Sequence, residues 1–446
     1  MLAPRSVGSL IPYIPLFPNE LVGVKISETR DYFLRDGSYF FYLADTCWSA
    51  FTNASLEEWE YYLEYRAAQG FNALQINVLH QHDRSRGPLE PTPPFAVRAD
   101  GSWDFARVNE ECFDRVERMV EMAAGRGFVP ALVLLWCNYV PGTWGSRLVK
   151  PQRVFPSLES AVAYVEYVAE RFGKYEPIFV VSGDTNFESS ESVEYYRAAF
   201  DAVKRRAPRS LTTMHLMGGL WQLPEEILRS PSYDFYMYQS SHGADTQHLA
   251  YELAERFTAM PLKRPIVNGE PCYEGMGWFN RYGRFTRADV RRAVWWSLLS
   301  GAKAGVAYGA LGIWNWHKTG YTFPDERIWG ASFDWRVALS FPGASDAAYA
   351  KWIFEKYRLY EMNPANELLI DSQPGVRVAK GRDGLAVYAP YAWRIKLAVD
   401  PSGYVWEGID LEARRVIKPK VKAEGSVTVV EVAEAYNDVL ILASMR

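Results

Sequence analysis

Cysteine is scarce in this chain of 446 residues, which holds only Cys47, Cys112, Cys137 and Cys272. None belongs to a Cys-x-x-Cys pair or to a metal-ligand spacing, which argues against a disulfide framework and for free thiols in a reducing compartment. An excess of either charge is missing as well. Lys and Arg number 49 against 53 Asp and Glu, a formal net charge of −4. The basic residues are scattered, so neither nucleic acid nor an anionic membrane is expected as a partner. No stretch of 18 apolar residues occurs, and no segment reads as membrane-spanning. Pro4, Pro12, Pro15 and Pro18 interrupt the segment where the apolar part of a secretion signal would lie, and the chain is expected to be cytoplasmic. Internal repeats and low-complexity tracts are absent too.

Aromatic residues are abundant instead, at 15% of the chain with 16 Trp and 28 Tyr. Tyr and Trp join an apolar face to a polar tip, which suits stacking on sugar rings as well as core packing. The length exceeds what one barrel requires, so a second, smaller domain is expected beside a large one.

Hydrophobic patterning supplies the architecture. Arg35-Asp36-Gly37-Ser38 carries a hairpin signal, and Ser55-Leu56-Glu57-Glu58 is a capping box opening a helix that Gly70 stops. Strands are expected over 39–44, 72–79, 128–136, 178–182, 211–215, 235–238, 266–268 and 306–308, with amphipathic helices between them and an eighth near 344–360. Eight such units predict a parallel (β/α)8 TIM barrel, an α/β fold. Beyond Asn363-Pro364, short apolar runs split by Gly, Pro and Asp predict a small C-terminal antiparallel β-sandwich. The expected domains are a catalytic barrel with an N-terminal extension over 1–362 and the β-sandwich over 363–446.

Two of these strands stop at a carboxylate, Asp184 and Glu270. Catalytic groups sit at the C-terminal ends of barrel strands, and the 86 residues between the two amount to three βα units at roughly 30 residues each. Strands four and seven can face each other across the barrel mouth, as the carboxyl pair of a glycosidase must. Glu270 is the candidate nucleophile. Asp184 is the candidate acid/base, whose pKa has to be raised by burial or by the charge of Glu270.

The other strand ends offer hydroxyl-binding candidates. Asp45 and Trp48 follow the first strand, Gln75 and Asn77 lie on the second, and His80 comes just after it. Trp136 and Asn138 close the third, Asn186 follows the fourth, and His215 closes the fifth. Tyr238 and Gln239 close the sixth, where a Tyr can hydrogen-bond the strand-seven carboxylate, and Trp314 follows the eighth. Glu188 and Glu274 rank below the main pair, because loops hold catalytic geometry less firmly. His80 and His82 admit a metal-pair reading, but a sugar-binding loop is preferred; no metal and no organic cofactor is expected. A lyase would need a Schiff-base Lys or a metal at a strand end, and neither is found. The alternative left open is a non-catalytic sugar-binding barrel.

Leu43-Ala44-Asp45-Thr46-Cys47-Trp48 and Tyr62-Leu63-Glu64-Tyr65-Arg66-Ala67-Ala68-Gln69-Gly70-Phe71-Asn72 resemble the opening of apiosidase-like barrels of the glycoside hydrolase family 140 type. Ser182-Gly183-Asp184 and Asn268-Gly269-Glu270-Pro271 are similar to that family's acid/base and nucleophile motifs, and the likeness spans about residues 31–360. The resemblance implies a retaining, exo-acting hydrolase that removes a terminal sugar from a glycan or glycoside, with Glu270 as nucleophile and Asp184 as acid/base. Many barrels of the wider clan carry Asn-Glu on strand four. This chain has Gly183-Asp184 there, in agreement with the apiosidase-like group.

Overall fold

The computed structural model describes residues 22–151, 153–279, 282–371 and 373–446. The proline-interrupted segment 1–20, on which the cytoplasmic expectation rests, lies outside them.

Eight parallel strands form the centre: β1 (Tyr42–Thr46), β2 (Ala73–Asn77), β3 (Val129–Trp136), β4 (Ile178–Gly183), β5 (Thr212–Thr213), β6 (Tyr236–Gln239), β7 (Ile266–Glu270) and β8 (Gly305–Tyr308). The ladder runs β5-β4-β3-β2-β1-β8-β7-β6. Asp234 N donating to Thr212 O at 3.0 Å and Thr213 Oγ1 to Phe235 O at 2.6 Å bridge the remaining gap between β5 and β6. The helices are α1 (Leu56–Ala68), α2 (Glu110–Ala124), α3 (Leu158–Phe172), α4 (Ser190–Arg206), the single turn α5 (Glu225–Leu228), α6 (Leu249–Thr258), α7 (Arg287–Leu299) and α8 (Gly343–Lys356). This is the (β/α)8 barrel that the patterning predicts. The capping box forms as read: Glu58 N donates to Ser55 Oγ and Ser55 N to Glu58 Oε2, which satisfies two orphan donors of α1.

All β1 to β8 residues are buried, and their side chains alternate between the barrel interior and the helices. The alternation decides the fate of Asp45. On β1, Tyr42 and Thr46 point inward to Gln75, whereas Asp45 points outward, accepting from Arg66 Nε and Tyr62 Oη of α1, both at 2.6 Å. Asp45 and Arg66 are fully buried. Asp45 is therefore a strand-to-helix ion pair and not the sugar contact expected of it. Asp45→Asn is expected to lower unfolding free energy by about 3–5 kcal/mol, because it strands a buried guanidinium. Urea denaturation measures this, and a loss under 1 kcal/mol would contradict the assignment.

Three short N-terminal strands, Lys25–Ile26, Phe33–Arg35 and Ser38–Phe40, cap the opposite end of the barrel, where Phe33 packs edge-on against Phe235. Asp36 and Gly37 take positive φ (51° and 73°) in the expected hairpin turn.

The C-terminal strands are β9 (Arg377–Lys380), β10 (Gly384–Ala389), β11 (Arg394–Leu397), β12 (Tyr404–Asp410), β13 (Arg415–Ile417), β14 (Lys420–Glu424), β15 (Val427–Glu431) and β16 (Val439–Met445). They make two antiparallel sheets, β9-β10-β16-β12-β13, extended beside β9 by the short strand Asn363–Pro364, and β11-β15-β14, over a core that includes Val387, Ile395, Leu397, Val430 and Ile441. A buried ionic cluster joins the sandwich to the barrel. Arg291 of α7 lies 2.6 Å from Asp438 and 2.9 Å from Asp346 of α8, and Arg414 reaches Asp346 at 3.0 Å. All four cysteines are buried and unpaired. Among the described residues no helix is long and apolar enough to cross a membrane.

Candidate active site

Glu270 ends β7, yet plain alternation would aim it outward, since Asn268 two residues earlier bonds Ser240 and Ser297 on the helix side. A register shift intervenes. Tyr238 pairs with Asn268 but Gln239 pairs with Glu270, leaving Gly269 as an extra residue on β7. Such a bulge re-aims the next side chain. Gly269 suits it because a Cβ there would lie 2.4 Å from Met237 Cγ.

Turned toward the mouth, the Glu270 carboxylate is held from several sides. Gln239 Nε2 donates to Oε1 at 2.8 Å, and His242 Nε2 lies 2.7 Å from the same oxygen. His215 Nε2 lies 2.8 Å from Oε2, off the hydrogen-bonding line. Burial pushes this carboxyl up, but the contacts with His215 and His242 outweigh it and bring it down to about 2. Glu270 is ionised across the working pH range of a protein.

Asp184 follows β4 with φ of +50°, a left-handed conformation uncommon outside glycine. Trp144 Nε1 holds its carbonyl at 2.9 Å, and its N–H points to His215 Nδ1 at 3.4 Å. The residue before it, Gly183, leaves room for the Trp136 indole, which a Cβ would meet at 2.1 Å. Asp184 Oδ1 lies 3.8 Å from His215 Nδ1 and has no hydrogen-bond partner among the described residues. Burial and then the charge of Glu270 raise this carboxyl to about 7. One imidazole thus stands between the two carboxyl groups. His215 itself is raised, because the attraction of Glu270 exceeds the penalty of burial.

Trp136 stacks on His215 with centroids 5.5 Å apart, and Trp48 meets the same ring edge-on at 5.4 Å. Trp48 Nε1 donates to Tyr273 Oη at 3.2 Å. The Tyr273 phenol is pushed up by burial and then by Glu270. Of the residues expected from sequence, the structure gathers Asp184, Glu270, His215, Gln239, Trp48 and Trp136 here. His242 and Tyr273 are additions. Both lie on loops, and the only sequence signal for His242 was an unexplained histidine three residues past a strand end.

Other expectations are corrected. Tyr238 faces outward and donates to Ala250 O of α6 at 2.8 Å, so its neighbour Gln239 bonds Glu270 in its place. Gln75 spends its amide inside the barrel on Thr46, Gly269 O and Tyr42, holding the strand below Glu270. Asn77 closes on Gln81 at 2.6 Å, and Asn186 on Glu188, which also pairs with Arg147. Glu274 is taken up by Tyr308 Oη and Gly343 N. Trp314 is buried against Phe323 and offers no open face.

His80 and Asn138 line a separate cavity of 280 Å³, beside β2 and β3 on the Asp184 side of the mouth, with Arg84, Arg86, Lys150 and Arg153 around it and Glu90 as the one acid among the described lining residues. His80 Nε2 lies 3.1 Å from Thr92 O. Burial, then the Arg84 and Arg153 charges, push its pKa down to about 3, so it is a neutral lining group in a cationic pocket. The His80 and His82 metal-pair reading finds no support in these contacts.

The model of the apiosidase-like catalytic domain matches residues 27–361. The chain belongs to the apiosidase-like family. It is a glycosidase, and its carboxyl pair converges on one imidazole, so the sugar-binding barrel without catalysis is set aside. Solved structures share the fold over nearly all of the chain. One glycoside hydrolase is 21% identical with a TM-score of 0.78, covering 97% of this chain and 98% of its own. A glycoside hydrolase family 5 protein from Bacteroides vulgatus ATCC 8482 is 20% identical with a TM-score of 0.77, covering 97% and 94%. No curated protein matches the chain significantly.

Proposed function

We propose that this apiosidase-like enzyme hydrolyses a terminal glycosidic bond with retention of anomeric configuration. The observation that carries the reading is the convergence of two carboxyl groups on His215 in unlike surroundings. Glu270 Oε2 lies 2.8 Å from Nε2, with Gln239 and His242 on its other oxygen, whereas Asp184 Oδ1 lies 3.8 Å from Nδ1 with no hydrogen-bond partner among the described residues. The pKa of Glu270 is thereby lowered and that of Asp184 raised. Divergent carboxyl pKa values separate acid from nucleophile. In the first step Glu270 Oε attacks the anomeric carbon while the bond to the leaving oxygen breaks and takes the Asp184 proton. In the second, the Asp184 carboxylate accepts a proton from water. The water oxygen then displaces Glu270, which returns as carboxylate. Gln239 and His242 keep the nucleophile ionised and aimed. Glycosylation of Glu270 removes a charge that helps to hold the Asp184 proton, which favours deprotonation of Asp184 for the second step.

Proton NMR of the first-formed product from a nitrophenyl glycoside tests the stereochemistry. Retention is expected, and an inverted product would overturn the double displacement. A panel covering apiose, arabinose, galactose, xylose and glucose in both anomers identifies the sugar.

The leaving group departs on the Asp184 side, where the cationic cavity lies. We infer that it receives an acidic sugar unit of the substrate. Arg153 stacks on Trp103 at 4.1 Å and is set as a planar fork for a carboxylate. Arg153→Met is expected to raise KM by about tenfold for a glycan with an acidic leaving unit, from the loss of one charge-assisted hydrogen bond. kcat/KM on a nitrophenyl glycoside stays the same. An equal effect on both substrates would show that the pocket has no role in recognising the leaving unit.

A further inference from the structure

The C-terminal sandwich holds a cavity that the barrel chemistry does not use. Its volume is 600 Å³, and Asp371, Gln373, Tyr391, Trp393, Arg394 and Lys396 line it. Tyr391 and Trp393, two residues apart before β11, are 64% and 62% exposed. Exposed aromatics standing singly need no explanation. Two on one trough leave a large apolar area in water that a flat ligand would cover.

The polar groups around these rings are matched in charge. Lys396 Nζ lies 3.6 Å from Asp371, and Arg394 Nη2 lies 3.2 Å from Glu424. Gln373 Nε2 donates to Arg394 O at 3.0 Å, and Arg394 Nε lies 4.0 Å from Glu431. Exposed aromatic faces with paired charges beside them complement a neutral sugar, with its apolar C–H face and its hydroxyl edge. An anion would require an excess of positive charge. A protein partner would favour an interface core depleted of charge, whereas this lining places Asp371, Arg394 and Lys396 among the rings.

The trough is also tied to the barrel mouth. Arg292 of α7 lies over the Tyr391 ring at 4.9 Å, and its Nη1 reaches Gln247 Oε1 at 3.3 Å. Gln247 belongs to the β6–α6 loop that carries His242, a ligand of the nucleophile. We propose that the trough binds neutral sugar units of the same polymer whose terminal bond the barrel cleaves, an inference that rests on the hydrolase reading above. Tethering at a second point raises the effective concentration of chain ends at the mouth without any new catalytic contact.

The test uses the full chain. Calorimetry on the E270Q variant, which cannot turn substrate over, measures binding of neutral arabino-, galacto- and xylo-oligosaccharides. Tyr391→Ala and Trp393→Ala in that background are each expected to lower affinity for one of these by about tenfold, the loss of one stacking contact. In the active enzyme the same changes slow turnover of the matching polysaccharide several-fold and leave kcat/KM on a nitrophenyl glycoside as it was. Trp393→Phe keeps the affinity. Unchanged affinity in both Ala variants, or no binding of any of the three series, overturns the proposal. So does a dimer in sedimentation that the Ala variants dissociate, which would make a second copy the occupant. If the wild type cleaves no glycoside yet binds oligosaccharide through these rings, the hydrolase reading fails and the binding site stands.

Discussion

Glu270→Gln is expected to lower kcat by about ten-thousand-fold or more while the protein still folds, because the covalent route loses its nucleophile and nothing nearby replaces it. The neighbouring carboxylates are committed elsewhere: Glu274 to Tyr308 and Gly343, Glu188 to Arg147 and Asn186. The amide keeps the size of the side chain and can still bond Gln239 and His242. Two measurements check the result, kcat on an activated glycoside and the thermal transition. A variant that retains a tenth of wild-type activity would remove Glu270 from the nucleophile role.

Asp184→Asn is expected to separate substrates by their leaving groups. Loss of general-acid help costs about 100- to 10,000-fold where the leaving oxygen is a sugar hydroxyl. The first step suffers far less with nitrophenol, which departs without a proton. The pH profile supplies a second signature. In the wild type kcat/KM falls as pH rises through about 7, since the proton on Asp184 is then lost. The acid limb set by Glu270 lies far below, near 2. In the Asn variant the alkaline limb disappears.

Stability moves the other way. A carboxyl raised to about 7 in the folded state binds a proton that the unfolded chain releases near its ordinary value of about 4, so Asp184 makes stability fall between those pH values. The amide carries no such penalty. The Asn variant is expected to melt higher than wild type at pH 8 and to lose that advantage below pH 4. An alkaline limb that persists in the variant would assign the pH 7 transition to another group.

The extent to which the site could be read in advance follows from which physical signals are local. Asp184 and Glu270 were visible because each terminates a β-branched run, and a strand end near a turn is a local pattern. Tyr238 and Gln239 differ by one position. A side-chain period of two sends one to α6 and the other to the nucleophile, and the bulge at Gly269 sets which residue on β7 faces the same way. The one local sign of that bulge is Gly269 itself, a glycine inside a strand, and it does not say which way the next side chain turns. Asp45 misled for the same reason, since a carboxylate after an apolar run looks alike whether it meets a sugar or Arg66. His242 and Tyr273 lie on loops whose path depends on contacts made across the barrel.

Sequence alone determined the eight βα units, the sandwich that follows, the two carboxylates on strands four and seven, and the family likeness. Periodicity, turn residues and short motifs are properties of neighbouring positions, so they survive without tertiary information. Tertiary structure decided which carboxylate is ionised. That choice depends on His215 and His242 reaching Glu270 from the ends of other strands, while Asp184 is left with one buried oxygen unpaired. It also decided where charge and aromatic surface collect, in the cationic pocket beside the acid and the trough on the sandwich. Residues scattered evenly along the chain become clusters only when the loops that carry them are packed together.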